Sequence, residues 1–78
     1  MRHAMEHGRK YLVIIETAAD GSYSAYVPDL PGCAAVGLDT AEEARRAIAE
    51  AVEFHIEGLI AEGDLVPEPK AKAEYVEA

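Results

Sequence analysis

Tyr11-Leu12-Val13-Ile14-Ile15-Glu16-Thr17, then Asp20-Gly21, then Tyr23-Ser24-Ala25-Tyr26-Val27: two β-prone runs flank a turn-forming pair. From Arg9 to Thr17 the residues are mostly β-branched, aromatic or aliphatic, and both alternating sets, Tyr11/Val13/Ile15 and Leu12/Ile14, are apolar. A strand of that kind is expected to be covered on both faces. Asp20-Gly21 supplies turn chemistry, with Gly free to take positive φ, before the second alternating run. The stretch therefore predicts a β-hairpin.

Beyond it, Pro28-Asp29-Leu30-Pro31-Gly32 cannot extend a ladder, because its two prolines lack N–H donors. It reads as a loop into a short strand, Cys33 to Gly37. Thr40 with Glu43 three residues later is a capping-box pattern, and the acidic Glu42 and Glu43 suit the positive end of a helix dipole. In the helix that follows, Ala44, Ile48, Ala51, Val52, His55 and Leu59 share one stripe, while Glu43, Arg46, Glu50, Glu53 and Glu57 lie opposite. Glu42 and Arg46 have the i,i+4 spacing of an ion pair. Gly63 is the expected C-terminal cap, and Pro67 and Pro69 prevent the helix from resuming. Lys72 to Glu77 alternates enough to predict a last strand.

These elements predict one α+β domain over residues 9–78, with residues 1–8 disordered. The expected architecture is a three-stranded antiparallel meander, a crossover helix and a fourth strand. A right-handed crossover places that strand beside the first, in the sheet order 3-2-1-4. The first strand would then be central, which explains its two apolar faces.

The chain has 78 residues, with 7 Lys+Arg against 15 Asp+Glu, a formal charge of −8. Such a charge opposes binding to duplex DNA, which draws on Lys and Arg to neutralise phosphates, and it favours a basic protein partner. A domain this small leaves a thin core, which predicts a homo-oligomer, a dimer or tetramer. Ala47, Ala51 and Phe54 on the helix flank add to the apolar area available for it. Cys33 is the only cysteine, so no disulfide or cysteine-based zinc site forms within one chain, and a reducing cytoplasm is the expected compartment. No apolar run approaches the roughly 20 residues that span a bilayer.

Candidate chemistry is sparse. Glu16 and Asp29 are the carboxylates near the sheet that a metal-dependent nuclease would need, and roles at a strand end and in a loop turn account for them better. Cys33 and His55 lack a third orienting group, and His3 and His7 lack a rigid element, so neither catalysis nor metal or other cofactor binding is expected. Docking is the better reading. Tyr23 and Tyr26 lie on opposite faces of their strand, one expected to pack on the helix and the other to be a candidate anchor. Asp29 sits in a loop that reads as a rigid turn or as part of a docking edge. Glu43, Glu50, Glu53 and Glu57 present a charge of one sign that would steer a basic partner.

The run Tyr23 to Cys33, Gly37 followed by Ala41-Glu42-Glu43-Ala44, and Gly63 followed by Val66-Pro67-Glu68-Pro69 resemble, in order and spacing, the HicB family of antitoxins. The resemblance extends from about Tyr11 onward. It implies a partial ribonuclease-H-like fold of β-β-β-α-β order and a role in covering the catalytic face of a small basic mRNA-cleaving toxin, HicA. Many members also carry a C-terminal DNA-binding appendage, for which no segment is expected here after the last strand. The alternative is a solitary module that associates only with itself.

Overall fold

A computed structural model describes residues 9–78; the expected disorder of residues 1–8, with His3 and His7, lies outside the described residues. Three strands and one helix follow in chain order: β1 (Ile14–Thr17), β2 (Tyr23–Tyr26), β3 (Ala34–Leu38) and α1 (Ala41–Ala61). The sheet order is β1-β2-β3, with antiparallel pairing throughout. The hairpin forms where Asp20-Gly21 predicts it. The Ala18 N–H donates to the Ser22 carbonyl at 2.8 Å, and the Asp20 carboxylate accepts from both the N–H and the hydroxyl of Ser22. Those two bonds hold the Asp20 carboxyl below its usual range.

Register places side chains on two distinct faces. Ile15 opposes Ala25 and Ala25 opposes Ala35, so these share the face that α1 covers, while Ile14, Tyr26 and Ala34 share the other. The β2–β3 ladder is irregular between Tyr23 and Ala25: two steps on β2 match three on β3, from Ala35 to Leu38. Gly37, at φ +74, lies in that irregular stretch and has the conformation a bulge of this kind asks of glycine. The extra residue brings Leu38 back to the covered face, opposite Tyr23.

Helix α1 begins and ends on sequence-encoded stops. The Thr40 hydroxyl accepts from the Glu43 N–H at 3.0 Å, and the Glu43 carboxylate accepts from the Asp39 N–H, one residue earlier than in an ideal capping box. At the other end the Asp64 N–H reaches the Leu59 carbonyl and the Gly63 N–H the Ile60 carbonyl, a Schellman closure that needs Gly63 at φ +80. The buried stripe is Ala44, Ile48 and Ile56; Ile56 was absent from the expected stripe, and Ala51, Val52, His55 and Leu59 are half-buried around it. Glu42 pairs with Arg45 at 3.3 Å and not with Arg46, the i,i+3 neighbour being the one whose guanidinium reaches it.

The core consists of Ala25, Val27, Leu30, Cys33, Ala44, Ile48 and Ile56. Leu30 and Ile48 are its largest fully buried side chains. Leu30 comes from the proline-rich loop, which folds inward and is fastened by Leu30 N–H to Val27 carbonyl and Cys33 N–H to Leu30 carbonyl bonds of 3.1 and 3.0 Å. Burial of the Cys33 thiol raises its pKa, keeping it protonated and poorly nucleophilic.

The fourth strand and the order 3-2-1-4 are corrected by the structure: among the described residues no strand follows α1. The segment that leads into the expected strand is held away from any ladder. Pro67 and Pro69 have no N–H donor, and the N–H groups of Lys70 and Ala71 both donate to one oxygen of Asp29, each at 2.9 Å. The chain is thereby strapped under the end of the sheet. Val66 packs on the core, the Tyr11 hydroxyl donates to the Pro67 carbonyl, and Arg9 meets Glu68 at 3.3 Å. Strand β1 is consequently an edge and not the centre, and the expectation that both its faces are covered fails with it. The ladder begins only at Ile14, since β2 ends at Tyr26 and the Val27 N–H donates to the Cys33 carbonyl, which leaves Tyr11 to Val13 without a partner strand.

Candidate partner-binding surface

Sequence reasoning singled out seven residues for partner binding, and the fold distributes them over three places. Tyr23 is half-buried and packs against the core on the covered face, so it has little left to offer a partner. Tyr26, 41% exposed, points from the uncovered face beside Ile14 and Ala34. Asp29 lies at the foot of the sheet, and its carboxylate is engaged by the backbone of Lys70 and Ala71.

The remaining four, Glu43, Glu50, Glu53 and Glu57, are exposed along α1 on the side away from the sheet. Glu43 is occupied at the cap. Among the described residues Glu50, Glu53 and Glu57 are in no salt bridge, so three carboxylates that share their face with Arg46 stand unpaired along two turns of helix. Among them is Phe54, four residues after Glu50 and three before Glu57, and 79% exposed. An α-helix puts those neighbours directly around the phenyl ring. Exposed to this degree, the ring offers apolar area for a contact to bury. The sequence assigned Phe54 to a self-association flank, and its place inside the acidic row was a signal the spacing already carried.

The second exposed surface is the face of the sheet opposite α1. There Ile14, Tyr26, Ala34 and the 76% exposed Val36 lie with Glu16 and Ser24. Helix and open face point in opposite directions, so Tyr26 and the acidic row belong to different surfaces.

Near the foot of the sheet, burial raises the Tyr11 phenol, the positive charge of Arg9 opposes this, and Glu68 and Asp29 add to it. Cys33 is buried and His55 half-buried. Among the described residues no group of three or more His, Cys, Asp or Glu is placed to hold a metal ion. None of the described helices is long and apolar enough to cross a membrane.

Comparison with known proteins adds the family. The chain is 51% identical over 57 residues to a UPF0150 protein of Synechocystis sp., covering 73% of this chain and 71% of that one. A UPF0150 protein of Thermoplasma acidophilum is 41% identical over 69 residues, 88% of this chain and 99% of its own length. A 14.9 kDa protein of the rep-hol intergenic region of Haemophilus phage HP1 is 39% identical over 66 residues, which cover 85% of this chain but only 48% of the phage protein. No solved structure matches. The model of the HicB-like antitoxin of bacterial toxin-antitoxin systems matches residues 11–78, from the first residue of the β1 lead-in through the strapped tail, and the chain belongs to that family.

Proposed function

We propose that this protein is the inhibitory member of a toxin-antitoxin pair, a cytoplasmic binding protein and not an enzyme, which occludes a small basic mRNA-cleaving toxin of the HicA type. The observation that carries the reading is the outer face of α1, where exposed Phe54 stands among Glu50, Glu53 and Glu57, none of them in a salt bridge among the described residues. An RNA-cleaving protein must present cations to its substrate, and a row of carboxylates competes for that surface. Long-range attraction speeds the encounter, while a desolvated aromatic at the centre of the contact slows escape. The same net charge of −8 opposes binding of duplex DNA by this chain.

Steering and anchoring separate by kinetics. Replacing Glu50, Glu53 and Glu57 together by Gln is expected to slow association with the toxin and flatten its salt dependence, with dissociation little changed. Phe54→Ala is expected to speed dissociation at least ~10-fold, the equivalent of about 1.4 kcal/mol, with association nearly unchanged. Tyr26→Ala, on the opposite face, should then alter neither rate. Should Tyr26→Ala raise the dissociation rate while Phe54→Ala leaves it alone, the docking surface is the open sheet and not α1.

The solitary alternative, self-association without a toxin, has support in the open sheet face and the free edge of β1. Co-expression tells the two apart: rescue of toxin-arrested growth by this chain supports inhibition, and failure of rescue by a well-folded chain supports the solitary module.

A further inference from the structure

Phe54 has four near neighbours on the surface of α1, and they differ by side. Glu50 and Glu57, at i−4 and i+3, stand toward the acidic row, while Ala51 and Gly58, at i−3 and i+4, stand toward the other flank. Gly58 is the one that the fold does not explain. Glycine is the poorest helix former after proline, yet this glycine sits inside α1 without the positive φ that Gly21, Gly32, Gly37 and Gly63 adopt. It is exposed, and beyond its own stretch of helix a Cβ there would meet no heavy atom within 4 Å. Helical side chains lean toward the N-terminus, so what its bare backbone leaves clear is the space beside the Phe54 ring.

We infer that Glu50, Phe54, Glu57 and the bare backbone of Gly58 seat one arginine side chain of the basic partner protein, its guanidinium stacked on the phenyl ring and bonded to a carboxylate. The inference rests on the outer face of α1 being the docking surface, and it specifies what fills the centre of that surface. Charge complementarity selects a cation. Neither Glu50 nor Glu57 is in a salt bridge among the described residues, and a helical Arg46 on the same face extends toward the N-terminus, away from both. An apolar occupant would cover the ring only by stripping water from those two carboxylates.

The ring and the gap beside it select which cation. Phe54 is 79% exposed, so the negative face of its ring is free to hold a positive charge. A lysine ammonium is a compact, strongly hydrated point charge. A guanidinium is planar and weakly hydrated, lies flat on a ring and still directs N–H groups at a carboxylate in its own plane. Glu50 and Glu57 border the ring within one turn of helix, and Gly58 provides room on the side away from them. A side chain at Gly58 would close that room while strengthening the helix, so binding and stability part at this position.

The test takes the full chain and two probes of equal charge, a tetra-arginine and a tetra-lysine peptide, followed by NMR titration of the backbone amides at low salt. Tetra-arginine is expected to bind at least ~3-fold tighter than tetra-lysine, with the largest shifts at Glu50, Phe54 and Gly58. Phe54→Leu removes the aromatic face and keeps apolar bulk, and Gly58→Leu fills the gap; each is expected to bring the two affinities level. Gly58→Leu is expected to raise the denaturation midpoint at the same time, which a structural role for this glycine would not allow. Equal binding of the two peptides by the unaltered chain overturns the proposal. So does a preference for tetra-arginine that survives both variants, or shifts centred on Tyr26 of the open sheet face. Any of these leaves the inhibitor reading intact if the chain still blocks RNA cleavage by the toxin. A chain that prefers tetra-arginine in the expected way and fails to block cleavage keeps the arginine seat and loses the inhibitor reading.

Discussion

Two proline-bearing segments, Val27–Cys33 and Asp64–Ala71, start from the same handicap and end differently. Each lacks two backbone donors, so neither can extend a ladder. In the first, the chain turns back on itself through three backbone hydrogen bonds, and its central Leu30 is 0% exposed. In the second, beyond the Asp64 N–H that closes α1, the segment is fixed through side chains instead: Asp29, Tyr11 and Arg9 reach out to it. One segment is therefore part of the core and the other is fastened to it. The lesson is that loss of ladder donors says where a strand stops, while the nearest spare acceptor decides what the chain does next.

The sharpest way to break this contrast is to empty the first segment. Leu30→Ala should destabilise the fold by about 3 kcal/mol, within the range for a fully buried Leu, and denaturant midpoints would report it. A loss below about 1 kcal/mol would mean that the loop does not plug the core. For the second segment, Asp29→Ala should cost about 1 kcal/mol, at the low end for bonds to a charged acceptor in a partly solvated place, and amide exchange should lose protection at Lys70 and Ala71. Asp29→Asn keeps an acceptor oxygen and should retain most of that protection. If Asp29→Ala leaves both amides protected, something other than Asp29 holds the strap.

The hairpin, the helix with both caps, and the short third strand were legible in the sequence because their signals are local. Asp20-Gly21, Thr40 with Glu43, and Gly63 each act within four residues of themselves. The fate of the tail was not legible, since it depends on Asp29, 41 residues away from Lys70, fixing the backbone of Lys70 and Ala71 just ahead of the expected Lys72–Glu77 strand. Two-sided apolarity in Tyr11 to Ile15 reads, in the sequence, as the mark of a central strand. In the folded chain it marks a strand with an unused edge and an unused face. The acidic row on α1 was legible from its 3.6-residue period, whereas the degree to which Phe54 stands clear within it required the packing of Ile48 and Ile56 below.

Alkaline pH probes both segments at once. The Cys33 thiol and the Tyr11 phenol have folded-state pKa values above their unfolded ones, so each contributes stability that is complete below its unfolded pKa and is lost as pH rises through its folded value. The denaturation midpoint should hold at neutral pH and fall above about 8.5 as the unfolded thiol ionises, then further above about 10 through Tyr11. Cys33→Ala should remove the first part of the fall and Tyr11→Phe the second. Smallest of all, Glu42→Ala breaks an exposed ion pair with Arg45 and should change stability by less than about 0.5 kcal/mol.

Inhibition itself is tested most directly by titrating purified HicA-type toxin with the full chain and following cleavage of a defined RNA. Occlusion predicts that cleavage falls linearly and stops at one chain per toxin, and that the Glu50, Glu53 and Glu57 to Gln variant reaches the same end point more slowly. A toxin that cleaves at its full rate in the presence of excess folded chain would contradict the account.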